Sequence, residues 1–199
     1  MIRIPNIVQK IFPATYSFPS QEGKLFLTFD DGPTPDITLQ VMNLLSRFQA
    51  KATFFCLGEN IENFSSIFNE IKSEGHSIGN HSYSHPDAWR TKTSCYLNDI
   101  QKANYLIQSN LFRPPYGRLL PFQYFELRKN YRIVLWDVMS YDFSKSTSRV
   151  QCIKNVVNNA KDGSIIVFHD TEQAKNNLLF ALEFLLEYYS GKGYSFHKI

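Results

Sequence analysis

The sequence predicts an α/β fold, an incomplete (β/α)7 barrel in a single domain. Short β-rich apolar runs alternate with amphipathic helical patterns from about Lys24 onward, the mark of parallel strands joined by crossover helices. No linker, low-complexity tract or charge block interrupts the series, and 199 residues suffice for one continuous core. Seven strand candidates rather than eight leave the barrel incomplete.

The first strand is Leu25-Phe26-Leu27-Thr28-Phe29, followed by a helix that Asp36 can cap and whose apolar residues Ile37, Val41, Leu44, Leu45 and Phe48 share one face. Ala52 to Leu57 is the second strand. The helix after it carries Ile61, Phe64, Ile67, Phe68 and Ile71 in line and stops at Gly75. Later strands are Ser77 to Gly79, Leu111-Phe112, Arg132 to Val138, Ser164 to Phe168 and Tyr194 to Ile199. Helices fill Tyr96 to Gln108, Phe122 to Lys129, Val150 to Ala160 and Asn177 to Tyr189. Residues 1–24 form a short lead-in and 25–199 the single domain.

Composition narrows the function. Hydrophobic residues make up 43% and charged residues 20% of the chain, the balance of an ordinary globular protein rather than a disordered one. A dispersed net charge of +3 gives no basic stripe for nucleic acid. Aromatic residues reach 15%; a Phe-rich core accounts for most, and a groove stacking rings on sugars is the sharper reading. Cys56, Cys95 and Cys152 form no CxxC pair, so neither a disulfide framework nor a thiolate zinc site is expected. No apolar run is long enough for a membrane span. Pro5, Asn6, Gln9, Lys10 and Pro13 interrupt any apolar core of a signal peptide, so a cytoplasmic location is the expectation. The oligomeric state is not legible.

In barrel-like folds chemistry collects on loops after the strands' C-terminal ends. Those ends carry Asp30 and Asp31, Asn80 with His81 through His85, Arg113, Asp142, and His169 with Asp170. Adjacent carboxylates point in different directions, so one can bind a cation while the other acts on the water that the cation polarises. His81 and His85 at i and i+4 share a face if that stretch is a helical turn. An isolated HxxxH pair reads as solvated or core-bonded histidines; its position after a strand, matched with Asp31, turns the reading towards metal. His169 alone reads as a structural histidine or a general acid at the barrel mouth. Asp170 reads as a helix cap. His76 and His197 have no partnering pattern.

Thr28-Phe29-Asp30-Asp31-Gly32-Pro33, His81-Ser82-Tyr83-Ser84-His85, Arg113-Pro114-Pro115-Tyr116 and Val167-Phe168-His169 resemble, in order, motifs of the polysaccharide deacetylase family, the NodB-homology domains of carbohydrate esterase family 4. The resemblance implies that Asp31, His81 and His85 hold one divalent cation, Zn²⁺ first and Co²⁺, Ni²⁺, Mn²⁺ or Fe²⁺ as alternatives. It implies Asp30 as general base, His169 as general acid, Arg113 as the group positioning the base, and the Tyr116 backbone N–H as an oxyanion donor. Pro114, Phe143 and Val167 fall at positions that shape the substrate pocket. The family's fourth motif usually reads Asp-x-x-Asp-Trp; here Met139 to Phe143 keep only its second acid, Asp142, which can pair with His169. Val167 replaces the usual Leu, slightly enlarging an acetyl pocket. The implied activity is hydrolysis of an N-acetyl group, ahead of an O-acetyl group, on a carbohydrate. Amide hydrolysis on a non-sugar substrate and a catalytically silent carbohydrate-binding relative are the alternatives.

Overall fold

The computed structural model describes residues 13–199; residues 1–12, and with them half of the lead-in and all but Pro13 of the signal-peptide reading, lie outside the described residues. Eight strands and seven helices are present among the described residues. The strands are β1 (Lys24–Asp30), β2 (Thr53–Cys56), β3 (Ser77–Asn80), β4 (Leu111–Phe112), β5 (Arg132–Ile133), β6 (Val138–Met139), β7 (Ile165–His169) and β8 (Ser195–Phe196). The helices are α1 (Ile37–Arg47), α2 (Gly58–Asn63), α3 (Ser65–Ser73), α4 (Thr93–Ile107), α5 (Pro121–Leu127), α6 (Arg149–Val157) and α7 (Lys175–Ser190).

The strands form one sheet in the order β5-β4-β3-β2-β1-β7-β6, every neighbouring pair parallel, with β8 beside the start of β1. This is the expected open, incomplete barrel. The stretch Arg132 to Val138, expected as one strand, is two. Ile133 pairs with Phe112 at one end of the sheet, whereas Val138 pairs with Ile166 at the other. Residues 134–137 cross between the two ends, because an open barrel has no site where a single strand could pair with both. Val134 bridges to Thr15, and the Asp137 N–H donates to the Ile165 carbonyl at 3.0 Å.

Two further expectations are corrected. Asp36 does not cap α1: its φ is 63° and its side chain makes no capping bond, and the Thr38 hydroxyl instead accepts from the Thr34 N–H at 2.8 Å. The helix through Ile61 to Ile71 breaks at Phe64, whose φ of −132° and ψ of 47° are not helical. The break re-aims α3 so that Ile67, Phe68 and Ile71 are buried while Phe64 stays half-buried. Gly75, at φ 81°, does follow the end of α3 as expected.

Alternation along β1 sets the layers. Leu25, Leu27 and Phe29 face outward into the main core with Ile37, Val41, Leu45, Leu178, Leu182 and Leu185 of the helices. Phe26, Thr28 and Asp30 face the barrel interior. Phe26 packs there with Phe55, Leu111, Val134 and Ile165, an apolar plug closing the end away from the strands' C-termini. Residues 15–18 are tied across the sheet: Ser17 bridges to Ser164, and the Phe18 N–H donates to the Gly163 carbonyl at 2.8 Å. Gly163 has φ 73°, and a Cβ there would overlap the Phe18 carbonyl. Gly163→Ala is therefore expected to destabilise the fold by about 2 kcal/mol or more, through left-handed backbone strain and the displaced segment. Urea denaturation measures this, and an unchanged midpoint would show that the segment is not fixed here.

Candidate active site

Register decides which side chains meet at the barrel mouth. Phe26, Thr28 and Asp30 of β1 lie opposite Ile165, Val167 and His169 of β7, so the inward faces of both strands climb from apolar to polar and end with Asp30 beside His169. Asp30 is 3% exposed. Its Oδ1 accepts from Nη1 of Arg113 at 2.7 Å. Arg113 is fully buried; the same Nη1 donates to Thr28 Oγ1 at 2.7 Å, Nη2 to the Leu135 carbonyl at 2.9 Å and Nε to the Val134 carbonyl at 3.3 Å. Burial lowers the guanidinium's pKa, and the Asp30 charge opposes that shift. These partners hold Asp30 in one orientation.

Asp31 leaves the strand at φ 76°, turning its carboxylate away from that of Asp30. Its backbone is pinned by Asn60, whose Nδ2 donates to the Asp31 carbonyl at 2.7 Å. Asp31 Oδ1 lies 3.4 Å from His81 Nε2 and 3.3 Å from His85 Nε2. His81 to His85 is not the helical turn expected from the i, i+4 spacing. It is an irregular loop with Ser82 at φ 72° and His85 at φ 59°. Asn80 Oδ1 accepts from Ser82 N at 2.7 Å, Asp99 Oδ1 from Tyr83 N at 2.7 Å, and Ser82 Oγ from His85 N at 3.1 Å. The loop delivers both imidazoles to the same carboxylate by local hydrogen bonding rather than by helical periodicity.

One ligand atom from each of Asp31, His81 and His85 lies within 4.8 Å of the others. The hydrogen-bond geometry favours a cation between them. His81 Nδ1 sits 2.8 Å from the Arg113 carbonyl, an acceptor, so Nδ1 is taken up by that hydrogen bond and Nε2 is the ring nitrogen that faces Asp31. Burial, with the nearby His81 ring, holds His85 below its usual pKa against Asp31 and Asp30. Asp31 Oδ1 is itself buried without a hydrogen-bond partner. Burial pushes the Asp31 pKa up, but the His81, His169 and His85 rings outweigh it and hold the group well below the usual carboxylate range. Three electron-rich atoms facing one another fit a divalent metal ion.

His169 ends β7. Its Nδ1 lies 2.9 Å from Asp142 Oδ1, and its backbone N–H donates to Asp142 Oδ2 at 2.7 Å. Asp142 is fully buried and also accepts from Ser140 Oγ and Phe143 N, both at 3.0 Å. Burial lowers the His169 pKa, but Asp142, through its charge and hydrogen bond, together with Asp31 and Asp30, raises it to about 9. Asp170 is not the helix cap its position suggested: α7 begins at Lys175 after Ala174, and Asp170 is buried with its Oδ2 accepting from the Thr38 hydroxyl at 2.5 Å. Its pKa is raised to about 8, chiefly by burial. Gly32 is required above it, since a Cβ there would overlap the Asp170 carboxylate.

These groups open into a cleft of about 470 Å³ lined by Asp30, Asp31, His81, His85 and His169, with Pro114, Tyr116, Trp136, Met139, Tyr141 and Phe143 among its walls. Tyr116 has φ 60° and is 57% exposed, its ring edge-on to His85 at 4.6 Å. Phe143 packs edge-on against His169 at 4.7 Å. Val167 is fully buried one layer below His169, and does not reach the cleft. Asn60 and Asp99, which hold the Asp31 backbone and the histidine loop, were missed: Asp99 lies mid-helix, far from any strand end, and Asn60, although close after β2, falls in a stretch that reads as helix rather than as a site loop.

A polysaccharide deacetylase family model matches residues 19–126. A peptidoglycan-N-acetylglucosamine deacetylase of Bacillus cereus is 38% identical over 163 residues, covering 78% of this chain and 59% of the relative. A second B. cereus protein of that name is 33% identical over 190 residues, covering 92% of this chain and 89% of the relative. The crystal structure of the Bc1960 peptidoglycan N-acetylglucosamine deacetylase superposes with a TM-score of 0.90 at 33% identity, covering 98% of this chain and 95% of that one. Fold, motif order and relatives agree, and the chain belongs to the polysaccharide deacetylase family.

Proposed function

We propose that this chain is a metal-dependent deacetylase that hydrolyses the N-acetyl group of an N-acetylhexosamine in a glycan of the peptidoglycan type. The observation carrying the proposal is the placement of Asp30 and His169 as register neighbours at the mouth of one cleft that also holds Asp31, His81 and His85. The glycan class is supported by the names of the relatives. Zn²⁺ suits the two-imidazole, one-carboxylate donor set, which also accepts Co²⁺, Ni²⁺, Mn²⁺ and Fe²⁺.

Asp31, His81 and His85 would hold a divalent cation, which would supply a Lewis acid to polarise the acyl group and make a water easier to deprotonate. The protein residues perform the proton transfers. Asp30, fixed by Arg113, takes the proton as the water oxygen bonds to the acyl carbon. The Tyr116 backbone N–H stabilises the oxyanion. As the carbon–nitrogen bond breaks, His169 hands its Nε2 proton to the departing amine, while Asp142 on Nδ1 keeps the ring oriented and favours its charged form. Phe143 and Pro114 wall the pocket, and Val167 acts from beneath it through packing.

The direct test is acetate release by metal-stripped and reloaded protein from N-acetylglucosamine oligomers, peptidoglycan, acetylated xylan and small amides. Release from the sugar amides that depends on added metal is expected; activity confined to small amides, or none at all, would overturn the proposal. The His81→Ala, His85→Ala double variant should lose its stoichiometric metal, and retention would displace the cation site. Asp30→Asn should keep metal but lose about 10²–10⁴-fold in turnover, so near-normal turnover would remove Asp30 as the base.

The pH dependence carries its own sign. His169 is competent as an acid only while protonated, so kcat/KM should fall as pH rises through its pKa, which is raised to about 9 without metal. A cation on Asp31 cancels part of the negative field, placing the basic limb of the loaded enzyme below that value. Asp142→Asn removes the strongest raising influence and leaves the lowering effect of burial, so the limb should move to lower pH. A limb that stays put or moves up would show that Asp142 does not tune His169.

A further inference from the structure

The cleft wall that carries Tyr116 continues outward into a cluster that the proton transfers do not use. Arg118 is the one Lys or Arg among the residues lining the cleft. Its guanidinium lies over the Trp89 ring at 4.6 Å and is 5.9 Å from the Tyr116 ring. Nη1 donates to Asp87 Oδ2 at 3.3 Å, and Asp87 Oδ1 accepts from the Trp89 N–H at 2.9 Å, so one carboxylate fixes both the cation and the backbone beneath the indole. Trp89 is nevertheless 60% exposed and the Arg118 side chain 42% exposed. His85, Tyr116, Arg118 and Trp89 thus form a continuous row of contacts running from the histidine cluster out to the surface. Tyr141 and Phe143, with rings 5.8 Å apart, give the cleft a further aromatic wall that carries no Lys or Arg.

A salt bridge that merely tied two loops together would not need an indole held open to solvent beneath it. An exposed ring of that size offers the C–H face of a sugar a stacking platform on the side away from Arg118. A guanidinium held against the other face, with only part of its fork engaged by Asp87, offers the remaining N–H donors to an anion that a stacked sugar carries past the ring edge. We infer that Trp89 and Arg118 form the subsite for the sugar next to the one deacetylated, and that Arg118 makes this subsite selective for a neighbour bearing a carboxylate. The inference rests on the glycan deacetylase reading above and specifies which part of the glycan this wall reads.

The test compares three tetrasaccharides at fixed ionic strength: one alternating N-acetylglucosamine with its 3-O-lactyl derivative, the same glycan with its lactyl carboxylates reduced to alcohols, and neutral N-acetylchitotetraose. The metal-loaded protein should favour the acidic glycan over its reduced form by about tenfold in kcat/KM, mainly through KM, as for one charge-assisted contact. Arg118→Gln should bring that ratio close to one, Arg118→Lys should restore part of it, and Trp89→Ala should raise KM for the acidic and reduced glycans alike. A wild-type protein with no acidic preference, or an Arg118→Gln variant that keeps it, overturns the inference. If none of the three glycans loses acetate, the deacetylase reading fails; calorimetric binding of the acidic and reduced pair to wild type and Arg118→Gln then decides the subsite by the same ratio.

Discussion

A single buried cation organises this site. The Arg113 guanidinium sits inside the barrel at zero exposure, above the Phe55 ring at 4.2 Å, and removing so large a charge from water is costly unless its donors find partners. Asp30, Thr28 and the carbonyls of Leu135 and Val134 accept four hydrogen bonds from it. Its own backbone carbonyl fixes the orientation of the His81 ring. One residue therefore couples the orientation of Asp30, the direction in which His81 Nε2 faces Asp31, and the path of the chain across the barrel opening. The desolvation penalty makes these couplings stringent, because displacing any one partner leaves part of a charge unmatched in a low-dielectric interior.

Arg113 also explains how the chain accommodates Met139, where family members usually carry an acid. With an apolar side chain there, a guanidinium could be left short of negative partners. Instead the crossing segment between β5 and β6 turns two backbone carbonyls towards it. Those carbonyls are free to do so because residues 134–137 cross between the ends of the sheet rather than continuing one strand, where the ladder would claim them. Met139 is released to line the cleft, and with Tyr141 and Phe143 it gives that wall an aromatic and apolar character.

The parts of this fold that could be read from sequence are those governed by local pattern. The apolar runs Leu25 to Phe29 and Ile165 to Phe168 locate both strands, the polar residues that close them mark the barrel mouth, and the long helices fall within a few residues of their expected spans. Features set by pairing partners or by single dihedral angles were not legible. Nothing in Arg132 to Val138 marks where the chain passes from one end of the sheet to the other. Phe64 continues an apolar stripe yet sits at non-helical angles, and Asp36 has a capping residue's identity without its geometry. Asp170 looks like a cap because its real partner, Thr38, is 132 residues away. The histidine spacing singled out two rings that do meet at Asp31, but not through helical periodicity, since left-handed residues and the distant Asp99 bend that loop.

The two adjacent acids show how one short stretch supports opposite tasks. Asp30 ends a strand, so its side chain inherits the inward direction of that strand and meets Arg113. Asp31 escapes the strand through a left-handed conformation that Asn60 secures, and turns its carboxylate to the imidazoles. A second pair repeats the division at the end of β7, where His169 points inward to the cleft beside Asp142 and Asp170 is folded back beneath Gly32 to hold Thr38. Parallel strands in register bring the two pairs side by side, so the cleft-lining face that carries Asp30 and His169 lies over a buried layer that fixes the backbone beneath it. The chemistry of the cleft is thus inherited from strand register, and a one-residue slip of β7 against β1 would exchange the roles of His169 and Asp170.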